Sequence, residues 1–418
     1  MKTFARQLRR YYGWYTGTFL FFVLLLAIGE QMGLSPYVIG HVFLFVTIAI
    51  YASIGVMSRT SDVSEYYVAG RRVPAVFNGM ATAADWMSAA SFIGLAGTLY
   101  FAGFEGLAFV TGWTGGFVLV ALLLAPYLRK FGQYTIPDFL GARYQGNVAR
   151  LVGLGATVLA SFVYLVAQIY GVGLVTSRFV SVEFEIGLFI GLAGILVCSF
   201  LGGMRAVTWT QVAQYVILIV AYLVPVVILS YKLTGIPLPQ AMYGTVLAQL
   251  TEREEELLKT PGEIEARLQY KYRAQDYASK IADLPGSLEA ERRALIDRLN
   301  TMRLENAAAR DIALTERALR DLPRSPEEAK VIWEKARVAA LERARPPPRH
   351  ADPHPGDTPE QKAIARNNFL ALVFVLMVGT AALPHILMRY YTTPGVVEAR
   401  RSVFWSLFFI FLLYVTAP

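Results

Sequence analysis

The sequence predicts an all-α polytopic membrane protein, and three observations lead to that fold class. Of the 418 residues, 55% are hydrophobic and only 17% are charged, whereas charged residues make up about a quarter of a typical soluble domain. The apolar residues gather in runs of about 20, the length that a helix needs to cross a bilayer. Outside 251–366, the basic residues lie in short segments between those runs. These features exclude an ordinary soluble globular protein.

Eight apolar runs are long enough to be membrane-spanning helices, and a ninth begins near residue 402. The eight runs are 14–30, 38–57, 77–101, 107–128, 150–177, 186–203, 209–231 and 367–388. A cleavable signal peptide is the alternative for the first run, but no small-residue cleavage site follows it cleanly. The single cysteine, Cys198, excludes an intrachain disulfide and a cysteine-based metal site, and we expect it to be a packing residue.

The distribution of Lys and Arg predicts how these helices are oriented. If the N-terminus is cytoplasmic, the short cytoplasmic segments carry 15 basic residues, Arg389 among them, and the opposite side carries only Arg178 and Lys232 near the membrane. Such an excess is the positive-inside pattern. It predicts a multi-pass protein of the cell (inner) membrane with residues 232–366 on the extracytoplasmic side. No nucleic-acid partner is expected, because the excess charge lies in membrane loops.

Residues 251–366 are a charged insertion that contains 22 Lys or Arg and 22 Asp or Glu. Three segments in it combine a hydroxyl N-cap, a proline at the first helical position and Glu or Gln three residues after the cap. They begin at Thr260, Ser325 and Thr358. The sequence therefore predicts an extramembrane helical module, either a packed hairpin or a solvated spacer. A proline-rich linker runs from Arg345 to Asp357.

Two predicted spans contain features that interrupt a helix. In 77–101, Asp85 lies among small and hydroxyl residues; an acid within the membrane is a functional hypothesis, and an unwound turn would expose carbonyl oxygens to a hard cation. A buried aspartate satisfied by its neighbours is the alternative. In 367–388, Pro384 predicts a break that frees carbonyls and offers a helix N-terminus to an anion. An ordinary proline kink is the alternative there, and His385 is either a proton relay or a packing residue.

The order of the spans predicts an inverted repeat. Residues 1–57 hold two peripheral helices and 58–76 a cytoplasmic loop, while 77–231 hold a first set of five helices. Residues 367–418 then hold the first two helices of a second set, which starts from the opposite side of the membrane. Each interrupted helix is the first of its set, the arrangement in which transporters build a site from two halves.

Three segments resemble a known family when they are taken together. They are Asp62 to Arg71, Gly132 to Leu140 followed by Arg143-Tyr144, and Gly202 to Gln211 with its GG-x-x-AV pattern. They are similar to loops of the sodium:solute symporters, which have the LeuT-type fold of inverted five-helix repeats. The segments Asp85 to Phe92 and Gly379 to Arg389 look like the acetate-permease-like branch. The resemblance covers nearly all membrane segments, and the second repeat is incomplete in this chain.

The resemblance implies Na⁺-coupled symport of a small organic solute by alternating access, with a short monocarboxylate such as acetate as the expected substrate. The resemblance implies Na⁺ as the coupling ion and no cofactor, and it leaves coupling to H⁺ open. The Na⁺ site would use the backbone carbonyls at positions matching Ala84 and Met87, with Asp85 and Ser88 beside them. The site is incomplete here, because the helix that carries the other family ligands is absent. Gln211 stands where many members have Asp, which weakens a coupling role at that position.

The residues expected to line the substrate cavity come from four spans. They are Ser91, Trp113, Gln168, Gly379, Thr380 and Pro384, with Tyr164 and Thr114 as further candidates. Ordinary interhelical hydrogen bonds are the alternative role for the polar ones. We expect no Lys or Arg at mid-membrane, so that bound Na⁺ and helix N-termini would supply positive charge to an anion.

Other functions stay open at the level of the sequence. An enzyme is not expected, since no nucleophile–base pair, metal cluster or phosphate loop is found. The alternatives to a symporter are a membrane sensor module of a signalling protein and an inactive truncated symporter fragment. The partners expected are the solute, Na⁺ and the lipid bilayer, and whether a small membrane subunit joins them is left open.

Overall fold

The fold is that of a computed structural model that describes residues 2–305 and 307–418. All regular secondary structure in this part of the chain is helical, which confirms the all-α prediction. The helices are α1 Lys2–Gln31, α2 Pro36–Met57, α3 Val63–Val68, α4 Ala75–Trp86, α5 Leu95–Ala102, α6 Leu107–Leu119, α7 Ala125–Phe131, α8 Ile136–Tyr144, α9 Asn147–Val180, α10 Phe184–Thr234, α11 Pro239–Leu258, α12 Pro261–Ala282, α13 Gly286–Leu304, α14 Ala309–Arg320, α15 Pro326–Ala344, α16 Pro359–Ala381, α17 Pro384–Met388 and α18 Val396–Thr416. The side chain of Cys198 lies outside the description, so its packing role stays a prediction.

Six helical stretches of the described residues are long and apolar enough to cross a membrane. They are Thr3–Gln31, Pro36–Met57, Leu95–Phe131, Asn147–Val180, Ser199–Thr234 and Pro359–Ala381. The helix Phe184–Ala193 is apolar but shorter. The chain is thus a multi-pass membrane protein, and the division into two five-helix repeats stays a prediction.

The chain divides into two compact units. The first comprises residues 1–244 and 352–418, and the second comprises residues 245–351. The second unit therefore begins within α11 and ends in the proline-rich segment that follows α15. It overlaps the predicted insertion at 232–366, whose bounds stay a prediction.

Close helix packing in the first unit depends on small residues. A Cβ added to Gly79 on α4 would lie 2.5 Å from the Trp405 Cβ atom of α18. A Cβ added to Gly112 on α6 would lie 2.6 Å from the Leu376 Cβ atom of α16. Glycine lets two backbones approach in this way, and van der Waals packing is then the main attraction between membrane helices. The pairs α4–α18 and α6–α16 hold the two interrupted helices in place.

The GG pattern coincides with a sharp turn inside α10. Gly203 has φ 49° and ψ −140°, outside the helical region, and a Cβ there would lie 2.5 Å from the Tyr66 carbonyl oxygen. Only glycine fits such a backbone and such a contact. The turn separates the two spans predicted at 186–203 and 209–231.

The second unit has a small apolar core of its own. Leu288, Ala329 and Trp333 are buried together, and α12 packs against α15. Lys280 lies 3.4 Å from the Glu291 carboxylate and 3.3 Å from that of Asp276. Burial lowers the pKa of Lys280, but the two carboxylates outweigh it and raise this pKa above its ordinary value. The predicted helical module is therefore packed rather than a set of isolated helices.

The three predicted helix starts are all present, and two of them use the predicted cap. The Ser325 hydroxyl accepts a hydrogen bond from the Glu328 N–H, and the Thr358 hydroxyl accepts one from the Gln361 N–H. The Thr260 hydroxyl instead donates to the Leu257 carbonyl at 2.7 Å. The cap prediction was wrong at Thr260, because α11 ends at residue 258 and offers its last carbonyls to the hydroxyl.

Candidate functional site

The first interrupted helix breaks at Met87 and Ser88. Met87 has ψ 57° and Ser88 is extended, with φ −77° and ψ 175°. The chain then restarts as a π-helical turn over Ala89–Gly94 before α5. The break predicted around Asp85 is present, two residues after the acid.

Two serines hold this break open. The Ser88 N–H bonds to the Trp86 carbonyl at 2.7 Å and to the Ser91 hydroxyl at 3.1 Å, in place of the Ala84 carbonyl that a continuous helix would offer. The Ser91 N–H bonds to the Ser88 hydroxyl at 3.4 Å instead of the Met87 carbonyl. The carbonyls of Ala84 and Met87 thereby lose their helical donors. These are the two oxygens that the resemblance assigns to Na⁺.

The break borders an open cavity of about 800 Å³. Its wall includes all four predicted cation-binding residues, Ala84, Asp85, Met87 and Ser88, and also Gln168. The other polar residues on the wall are Ser161, Tyr164, Thr176, Gln211, Gln214 and His385. Carbonyl, hydroxyl and carboxylate oxygens are the donors that a hard cation prefers. The cavity thus combines a suitable set of oxygens.

Helix α9 supports the break through two side chains. The Tyr164 hydroxyl donates to the Asp85 carbonyl at 3.4 Å, and the Ala89 N–H donates to Gln168 Oε1 at 3.3 Å. Tyr164 also stacks on His385, with ring centroids 4.4 Å apart. Both side chains therefore make interhelical contacts and also line the cavity.

Asp85 is paired with a buried arginine, Arg389. Arg389 donates from Nη2 to Asp85 Oδ1 at 2.9 Å and from Nε to Asp85 Oδ2. The two side chains are only 2% and 9% exposed. Counting charges by loop placed Arg389 at the membrane surface. The expectation fails because the chain turns through α17 and the tight helical turn Arg389–Thr392, which brings Arg389 inside.

Gln211 also contacts Asp85, at the position where the family resemblance weakens a coupling role. Its Nε2 donates to Asp85 Oδ1. An aspartate at this position would place a second negative charge against Asp85. The amide fits as a donor to the carboxylate, whereas an acid would repel it.

The second interrupted helix breaks between Ala381 and Pro384. Leu383 is extended, with φ −64° and ψ 117°, and Pro384 opens α17 at its first position. A residue before proline avoids the helical region, which explains the position of the break. The break was predicted correctly. The short α17 leads directly to Arg389, and that connection was not predicted.

Several predicted substrate-lining residues lie away from this cavity. Trp113 packs on Trp86 with ring centroids 5.8 Å apart. Thr380 is buried and Ser91 serves the break itself. Pro384 borders a separate cavity of about 610 Å³ between α8, α9 and α17. Gly379 lies in the last turn of α16, where its carbonyl accepts from the N–H of the C-cap residue Ala382.

Comparisons with known proteins find relatives along most of the chain. A sequence model described as the sodium:solute symporter family matches residues 66–264. An uncharacterized symporter of Cupriavidus necator is 56% identical over 421 residues, covering 99% of this chain and 62% of that protein. A monocarboxylic acid transporter of Corynebacterium glutamicum is 25% identical over 378 residues, covering 90% of this chain and 52% of that protein. The chain thus spans between half and two thirds of the length of these relatives.

A solved structure is also similar to the chain. It is a Na⁺-coupled sialic acid symporter in a substrate-bound outward-open state, with a TM-score of 0.43 and 14% identity; the match covers 90% of this chain and 81% of that one. The family match and the 56% identical relative point the same way without reliance on that structure. The chain is similar to the sodium:solute symporter family over residues 66–264 and to a symporter of Cupriavidus necator over nearly its whole length.

Proposed function

We propose that this chain forms the membrane part of a symporter that uses a Na⁺ gradient to move a small monocarboxylate, such as acetate, by alternating access. The observation that supports it most is the broken first helix. There the carbonyls of Ala84 and Met87 have lost their helical donors beside the carboxylate of Asp85. Such a group of oxygens is suited to a small hard cation.

Two observations support a carboxylate as the solute. A relative that is 25% identical is named a monocarboxylic acid transporter. The buried guanidinium of Arg389 also provides a positive group for an anion, which the sequence analysis did not expect near the site. Its planar fork suits bidentate binding to a carboxylate.

We also propose the orientation that the positive-inside count predicts. The N-terminus is cytoplasmic, residues 232–366 are extracytoplasmic, and the membrane is the cell (inner) membrane. Under this orientation α4 starts on the cytoplasmic side and α16 on the extracytoplasmic side, so the two interrupted helices run in opposite directions. Transporters built from inverted repeats place their sites between helices of this kind.

Uptake into proteoliposomes tests the function. The full-length protein is expected to accumulate radiolabelled acetate under an inward Na⁺ gradient and to lose that accumulation when K⁺ replaces Na⁺. Asp85→Asn removes the acid of the site and is expected to abolish the Na⁺ dependence. The matched control is Glu30→Gln, an exposed acid at the end of α1, which leaves uptake unchanged. Uptake that ignores both Na⁺ and Asp85→Asn contradicts the proposal.

A further inference from the structure

Arg389 is bound to the carboxylate of Asp85, which is the acid that a coupling cation would use. Both carboxylate oxygens of Asp85 accept from Arg389, and Oδ1 accepts also from Gln211. These three bonds use three of the roughly four acceptor sites of a carboxylate. A cation that coordinates Asp85 through both oxygens displaces the guanidinium, so the two positive groups compete for one acid.

The backbone of Arg389 is held by hydrogen bonds from a neighbouring helix and from its own helical turn. The Arg389 carbonyl accepts from Asn78 Nδ2 at 3.1 Å and from the Thr392 hydroxyl at 2.7 Å. Asn78 also donates to the Ser402 hydroxyl at 2.7 Å. Helices α4 and α18 thus fix the point from which the side chain extends. In the described part of the chain, the guanidinium makes one further hydrogen bond, from Nη1 to the Thr208 hydroxyl at 2.9 Å.

If only one ligand binds, one member of the Asp85–Arg389 pair is left buried without a counter-ion. A displaced guanidinium stays protonated, and an unpaired buried charge is strongly unfavourable. A cation at Asp85 satisfies the acid but leaves Arg389 without a counter-ion, and an anion at Arg389 leaves Asp85 without one. Only the two ligands together replace the internal ion pair by two new pairs.

We infer that Asp85 and Arg389 form an exchangeable ion pair, which opens when Na⁺ binds Asp85 and a carboxylate substrate binds Arg389. This inference rests on the proposed function and explains how one ligand favours the other. Arg389 is then a substrate-binding residue that is masked until the cation arrives. The exchange requires an anionic substrate, because a neutral solute cannot compensate the freed guanidinium.

Equilibrium binding of radiolabelled Na⁺ and radiolabelled acetate to the purified full-length protein tests the exchange. In the wild type each ligand is expected to tighten the other by a factor of at least about 5, within the usual range of coupling between sites. Arg389→Gln removes the internal competitor, so Na⁺ binds about tenfold tighter without acetate and no longer responds to acetate. Asp85→Asn releases the guanidinium, so acetate binds tighter without Na⁺.

A merely structural role of Arg389 gives a different result, because its loss would then weaken both ligands. Arg401→Gln, an exposed arginine on α18, is the control and keeps both wild-type affinities. If the single variants do not fold, the double variant Asp85→Asn with Arg389→Gln removes both charges. It is expected to bind each ligand without regard to the other, and retained coupling there overturns the inference.

The failure of this inference differs from the failure of the proposed function. A wild-type protein that does not accumulate acetate with Na⁺ contradicts the proposed function. A wild-type protein that does so, while Arg389→Gln binds Na⁺ no tighter than before, contradicts the exchange alone.

Discussion

Asn78 offers a quantitative test of how the two interrupted helices are joined. Its side chain is fully buried and takes part in three hydrogen bonds. Nδ2 donates to the Arg389 carbonyl at 3.1 Å and to the Ser402 hydroxyl at 2.7 Å, and Oδ1 accepts from the Thr392 hydroxyl at 2.9 Å. Asn78→Ala removes all three and leaves a small void between α4 and α18.

The loss of stability in Asn78→Ala depends on which hydrogen-bond partners of Asn78 can find another partner. The Thr392 hydroxyl keeps the Arg389 carbonyl as an acceptor at 2.7 Å, so it loses only one of its two hydrogen bonds. Hydrogen bonds between membrane helices average about 0.6 kcal/mol, and a buried partner left unsatisfied costs about 1–3 kcal/mol. With Ser402 as the main group left without its donor, we expect Asn78→Ala to lower the free energy of unfolding by about 2–3 kcal/mol.

Equilibrium unfolding by SDS in mixed micelles measures this change. The matched control is Asn368→Ala on α16, where the asparagine is exposed and the expected change is within about 0.5 kcal/mol. If Asn78→Ala also stays within about 0.5 kcal/mol of the wild type, the junction is not held by these bonds and the argument is refuted.

Two more predictions concern packing and orientation. Gly79→Ala places a Cβ 2.5 Å from that of Trp405 and is expected to cost about 1–3 kcal/mol in the same assay. Gly155→Ala, where no atom lies within 4 Å of the new Cβ, is expected to be harmless; equal costs would contradict the packing argument. For orientation, a membrane-impermeant maleimide is expected to label Ala278→Cys but not Ala142→Cys in intact cells, in a Cys198→Ala background. The reverse labelling would invert the proposed topology.

The two helix breaks could be predicted because local chemistry determines them. Proline excludes the helical conformation at Leu383 and starts α17. At the first break, Ser88 and Ser91 are spaced to cap each other, so the signal lies within a few residues. The cap signals at Ser325 and Thr358 worked for the same reason. At Thr260 the same pattern misled, because a neighbouring helix end competed for the hydroxyl.

The partners of Asp85 could not be predicted, because they come from distant parts of the chain. Arg389 is 304 positions away from Asp85 and Gln211 is 126 away. Counting positive charges by loop treats every arginine near a span as a surface residue, so it placed Arg389 outside. Only the tight turn Arg389–Thr392 shows that this residue faces inward, and nothing in a hydropathy pattern indicates such a turn.

The geometry of α4 explains why Arg389 is recognised so specifically. Asn78 and Asp85 are seven residues apart, two helical turns, and therefore lie on the same face about 10 Å apart along the axis. Asn78 binds the backbone carbonyl of Arg389, and Asp85 binds its guanidinium. One face of α4 thus binds both the backbone and the guanidinium of Arg389, which follows the second broken helix. A lysine would keep the charge but lose the planar fork that reaches both carboxylate oxygens and Thr208, so the position requires arginine. Any movement that separates the two broken helices must release the side chain, the backbone or both, which ties the state of the ion pair to the arrangement of the helices.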